Sequence, residues 1–159
     1  LGGHPGERTG QALLAGLYLR LRRYDQARSE LDAVVAAGAD DALTLTTLAW
    51  LYDRDDDPRA LELAERAYRQ DSASPHVADT LGTILVRRGE VERGLTLLRQ
   101  AHAAAPRSPD IRYHLAAALA RGGQVDEARR MLDDLVSEHV EFEEAAAARD
   151  LRASLGGGG

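Results

Sequence analysis

One side chain recurs on a beat. Arg20, Arg54, Arg87 and Arg121 stand 34, 33 and 34 residues apart. A guanidinium is a planar, permanently charged fork of donors. Four of them at regular spacing could receive carboxylates or phosphates from an extended acidic partner. The same arginines, if they fall at helix carboxy ends, would also complement the helix dipole, worth about 0.3–1 kcal/mol each. Other chemistry-bearing residues are less ordered. His76, His102, His114 and His139 fall in different helices or turns, and neither an HExxH motif nor an i, i+4 His pair occurs. No metal site is therefore expected, and His114 is expected to hydrogen-bond locally. Asp55-Asp56-Asp57 lacks the alternating ligands and terminal Glu of a calcium loop, so it reads as a solvated turn with a helix cap. No Ser sits in a G-x-S-x-G elbow, and the glycine pairs and runs near the two ends follow no strand. Cysteine is absent, which removes thiolate catalysis, disulfides and Cys-based metal centres. These residues point to a protein that is not an enzyme and carries no cofactor.

Composition narrows the partners. There are 26 acidic and 20 basic residues, for a formal charge of −6, and every basic residue is Arg. That balance disfavours nucleic acid and anionic membrane surfaces. No apolar run approaches the ~20 residues of a membrane-spanning helix, and the amino terminus lacks a signal-peptide pattern. If the natural protein is exported, its signal lies outside this sequence.

The elements that must carry these residues repeat on the same beat. Pro75 and Pro109, Leu81 and Leu115, and Gly89 and Gly123 are each 34 residues apart. Four units follow: Arg8–Asp41, Ala42–Ser74, Pro75–Ser108 and Pro109–Phe142. At the seventh place stand Leu14, Leu48, Leu81 and Leu115, each followed by a small residue: Ala15, Ala49, Gly82 and Ala116. A second small residue recurs at Ala27, Ala60, Gly94 and Ala128, which would let two helices approach closely. Helices are predicted over 9–22, 24–37, 42–53, 58–71, 75–88, 91–105, 109–121 and 125–138. The second unit is one residue short near Asp53–Pro58, where Asp57 is an N-cap candidate and Pro58 suits a first helical position.

A ninth helix over 143–155 places Ala148, Leu151 and Leu155 on one stripe, as a terminal cap requires. Residues 1–7 are expected as a linker and 156–159 as a flexible tail. Leu13, Leu14, Leu17, Leu19 and Leu21 make the first helix apolar around most of its girth. That leads to two expectations: further repeats upstream in the natural chain, and self-association through this helix.

The 34-residue period with its small–large pattern is the signature of tetratricopeptide (TPR) repeats, and of an all-α, right-handed solenoid with a capping helix. The runs Leu48-Ala-Trp-Leu-Tyr52, Arg59 to Tyr68, Asp79-Thr-Leu-Gly82, Glu92-Arg-Gly-Leu95 and Ile111 to Ala116 resemble the carboxy-terminal repeats of the PEP-CTERM/exosortase-system TPR lipoproteins. The resemblance implies a periplasmic piece of a longer array, tied to exopolysaccharide systems. Lipid anchoring rests on the family alone, since no lipobox Cys is present. In such repeats the first helix lines a groove through its second, fifth, ninth, twelfth and thirteenth places. With the recurring Arg20, these give Trp50, Asp53 and Arg54; His76, Asp79, Thr83 and Arg87; and Asp110, Tyr113 and Arg121. The Lys and Asn of a chaperone-type carboxylate clamp are missing. The expected function is a protein- or peptide-binding scaffold. The alternatives are an RNA-binding helical repeat, opposed by the acidic charge, and a polysaccharide-export accessory that contacts glycan.

Overall fold

The computed structural model describes residues 5–156, with side chains from Gly10 onward. The described residues form nine helices and no strand. The chain divides into two compact units, 1–72 and 73–159. The first contains α1 (Pro5–Arg20), α2 (Tyr24–Ala36), α3 (Ala42–Arg54) and α4 (Arg59–Gln70). The second contains α5 (Pro75–Arg87), α6 (Val91–Ala104), α7 (Pro109–Arg121), α8 (Val125–Ser137) and α9 (Ala145–Gly156). Residues 5–7, expected as linker, belong to α1, and Gly156 closes α9. The remainder of both predicted tails, 1–4 and 157–159, lies outside the described residues.

Each helical hairpin turns by the same device. The amide of the sixteenth residue donates to the carbonyl of the eleventh: Arg23 to Tyr18, Asp57 to Tyr52, Glu90 to Leu85 and Gln124 to Leu119, at 2.8–3.0 Å. The residue between them must be left-handed. Gly89 (φ 90°) and Gly123 (φ 78°) adopt this without a Cβ penalty, whereas Arg22 (φ 56°) and Asp56 (φ 54°) carry the strain. The missing residue of the second repeat, Ala42–Ser74, is absorbed just after this turn. Elsewhere the twentieth residue bonds four back, as Ala27 does to Arg23 and Gly94 to Glu90. Ala60 instead bonds three back to Asp57, tightening the start of α4. The Asp57 carboxylate accepts from the Arg59 amide at 2.9 Å and pairs with its guanidinium, which holds its pKa down at about 2.

The small-residue positions do what their size allows. In the α5–α6 hairpin the backbones nearly touch. A Cβ built on Gly94 would lie 2.6 Å from the Gly82 carbonyl oxygen, and one on Gly82 would lie 3.0 Å from that of Gly94. The alanine pairs Ala15/Ala27, Ala49/Ala60 and Ala116/Ala128 are buried at the same places. In the second unit Leu95 and Leu98 of α6 cover Leu115 and Ala118 of α7, and α8 closes the cluster with Ala128. A second cluster joins Leu132 and Leu135 of α8 to Ala148 of α9, with Leu151 and Leu155 packed alongside. The predicted capping stripe thus faces the last hairpin. The first helix contrasts with this. Leu14 is 36% exposed where Leu48, Leu81 and Leu115 are 1–3%, and Leu17 is 51% exposed where Leu51, Ile84 and Ala118 are 1–2%. Leu13 and Leu21 are open as well.

Candidate functional site

In the first unit the predicted residues gather with one that the sequence reading passed over. Trp50, half-buried on α3, meets the edge of Tyr24 at the start of α2, with ring centroids 5.6 Å apart and planes at 74°. Arg54, one turn on and the last residue of α3, lays its guanidinium 4.0 Å above the Tyr24 ring and 5.0 Å from that of Trp50. Such contacts contribute about 0.5–1 kcal/mol each at exposed sites. The two rings flank the guanidinium, the residue is exposed, and Arg54 forms no ion pair among the described residues. Asp53, a predicted groove residue, is instead 5% exposed. On the other flank the buried Tyr52 donates its hydroxyl to Asp32 at 2.8 Å. Arg59 stacks on the Tyr52 ring at 4.0 Å, and Arg28 binds Asp25 and Asp55. That flank is tied internally. Arg20 is exposed at the end of α1.

In the second unit other places of the first helices build a closed polar network. Asp79 of α5, also 5% exposed, holds His114 Nδ1 at 2.9 Å from both carboxylate oxygens. On the other side of the ring, Nε2 lies 3.4 Å from Glu144, in the segment before α9. The partners are 35 and 30 residues away, so the expected local hydrogen bond of His114 is corrected to a long-range clamp. Burial alone would lower the His114 pKa, but the hydrogen bonds and charges of Asp79 and Glu144 outweigh it and raise it to about 10. Both ring nitrogens therefore donate, as only an imidazolium can. The bond from His114 keeps Glu144 below the usual carboxylate range, while burial and the Glu144 charge raise Asp110. Burial raises the pKa of Tyr113, which packs against His114 and Phe142 at 5.8 and 6.4 Å. Thr83, half-buried, has its hydroxyl oxygen shielded and without a hydrogen bond among the described residues. His76 is exposed, and Arg87 and Arg121 are exposed terminal residues of α5 and α7.

Every arginine of the recurring set thus ends a first helix, where it complements the dipole. The clamped imidazolium has no free nitrogen with which to act as a base, nucleophile or metal ligand. Sequence reasoning missed Tyr24, Glu144 and the role of His114. The signal for the last was present: Asp79 and His114 occupy neighbouring places in successive repeats.

Paired helices on a repeating turn, each pair covering the next within a unit, define a helical-repeat protein of solenoid type. Residues 85–155 match a tetratricopeptide repeat family. Solved structures agree along most of the chain. The chain is similar to TTC0263, a thermophilic TPR protein of Thermus thermophilus, with TM-score 0.75 and 20% identity, over 93% of this chain and 80% of that one. It is similar to YrrB, described as a TPR protein with an unusual peptide-binding site, with TM-score 0.69 and 18% identity over 90% and 74%. MamA gives TM-score 0.68 and 19% identity over 96% and 87%. At these identities the likeness is one of fold. No curated protein sequence matches the chain. No helix among the described residues is long and apolar enough to cross a membrane.

Proposed function

We propose that the chain is a non-catalytic scaffold that binds an extended peptide, with Trp50, Tyr24 and Arg54 as its principal contact. The observation that carries this is Arg54 itself. Two aromatic rings flank its guanidinium, and the residue is exposed to solvent. A pre-oriented guanidinium loses little entropy on receiving a carboxylate, and the half-exposed rings offer apolar area beside it. The fitting ligand has an acidic residue next to an apolar or aromatic one. YrrB, similar in fold, is described as having a peptide-binding site, which agrees with this reading. The wider setting we propose is a bacterial exopolysaccharide or exosortase system, with this segment in the periplasm. It is supported by the resemblance of the repeats alone. The open leucines of α1 support self-association as a second contact.

Selection from a random peptide library tests the main reading. Bound sequences should be enriched in acidic–apolar pairs. Trp50→Ala with Arg54→Gln should weaken them by about 10- to 100-fold, a hot-spot loss of roughly 1.4–2.8 kcal/mol. Selected peptides that bind the double variant equally well would overturn it.

A further inference from the structure

We propose a second binding site, on the α6–α8 side of the second unit, for an organic anion carrying a carboxylate or phosphate. A cleft of about 800 Å³ opens there, bounded by the end of α6, the link at Pro106 and Arg107, the start of α7 and one face of α8. That volume lies within the range of small-molecule pockets, about 300–1,000 Å³. The lining arginines differ in their commitments. Arg112 is nearly buried and bound to Glu138 at 2.7 Å. Glu127 is taken by Arg99, which grips both its oxygens at 2.8 and 3.0 Å. Arg107 and Arg130 make neither a hydrogen bond nor an ion pair among the described residues, and both are exposed to the cleft's solvent.

Two guanidinium forks without an ion pair in one concavity offer an anion receptor, with Arg130 also in the field of Glu127. His102 lines the cleft beside them, with its Nδ1 closed off from solvent. Met131 supplies apolar surface between the polar groups. Asp134 is the one lining carboxylate without an ion pair, so the site favours an anion that also carries a donor. None of these residues belongs to the Trp50 cluster, so the two sites stand or fall separately.

The test is a nitrogen-15 NMR titration of the whole chain, at about 0.15 M ionic strength so that diffuse attraction is screened. Three probes serve: inorganic phosphate, citrate and an amino-capped peptide of three glutamates. Saturable shifts confined to Arg107, Arg130 and His102 are expected with at least one probe. Arg107→Gln with Arg130→Gln should weaken that probe about tenfold or more, with the melting temperature unchanged. Preference for phosphate identifies a phosphorylated ligand; preference for citrate or the peptide identifies a carboxylate. Shifts that never saturate, that spread over all arginines, or that survive the double substitution would overturn the site.

Discussion

The two units put opposite chemistry on their first helices, at different places of the repeat: the ninth and thirteenth (Trp50, Arg54) in one, the fifth and sixth (Asp79, His114) in the other. In the first, Trp50 and Arg54 form a platform that stays partly open, and the guanidinium is held by rings rather than by a counter-charge. In the second, Asp79, His114 and Glu144 satisfy one another, and the segment before α9 is tied to α5 and α7. One arrangement leaves binding capacity unspent; the other consumes it in holding the fold. A repeat scaffold can therefore use some first-helix places for recognition in one hairpin and others for locking in the next. Side-chain identity at a groove place does not reveal which without its partner.

The contrast predicts where substitutions bite. The largest effects lie in the second unit. Leu115→Ala, at a buried place, should destabilise by about 2–5 kcal/mol in chemical denaturation. His114→Ala leaves Asp79 charged and unpaired, and should cost about 3 kcal/mol. Hydrogen exchange should place that loss in α5, α7 and α9, while α3 keeps its protection. Equal loss of protection in α3 would break the distinction between the units.

The clamp also sets a pH dependence. His114 gains protons on folding, since its pKa is raised from 6.5 to about 10. Its contribution is complete below pH about 6.5 and is lost as pH rises through about 10. Thermal melts of the wild type should fall across that window, and His114→Gln should flatten the slope. Glu144 acts in the opposite sense, because its lowered pKa makes its contribution disappear as acid is added. A wild-type melting temperature that stays level from pH 7 to 10 would contradict the clamp.

Smaller effects sharpen the picture of the first unit. Leu13→Glu with Leu17→Glu, both exposed, should leave helicity intact and reduce any dimer seen by sedimentation. Arg22→Gly relieves a left-handed residue and should stabilise by about 0.5–1 kcal/mol, as should Asp56→Gly. Gly89→Ala, at the equivalent place, should do the reverse.

The period alone made the helical hairpins legible, because Leu48, Leu81 and Leu115 and the small residues beside them mark a packing demand that recurs with each turn of the repeat. The break before α4 was legible for the same local reason, although α4 begins at Arg59 with Pro58 at its N-cap, one place later than an Asp57 cap implies; the helix-end position of the four arginines was legible as well. Asp79 and Asp53 were not. A place that faces a groove in one hairpin is covered when the next hairpin supplies a partner, and His114 supplies one to Asp79. Tyr24 escaped because it opens a second helix, whereas the places considered were all on first helices. Only the three-dimensional offset between α2 and α3 brings it against Trp50.

The single tryptophan offers the most direct measurement. Emission of Trp50 should be followed while an acidic–apolar peptide from the selection is titrated into wild type, Arg54→Gln and His114→Gln. The open-platform account predicts a saturable change of intensity or wavelength in wild type. His114→Gln should keep that response if folded, and Arg54→Gln should lose most of it, with affinity falling as salt rises. Binding that leaves Trp50 emission untouched, or that fails with His114→Gln while surviving Arg54→Gln, would contradict the account.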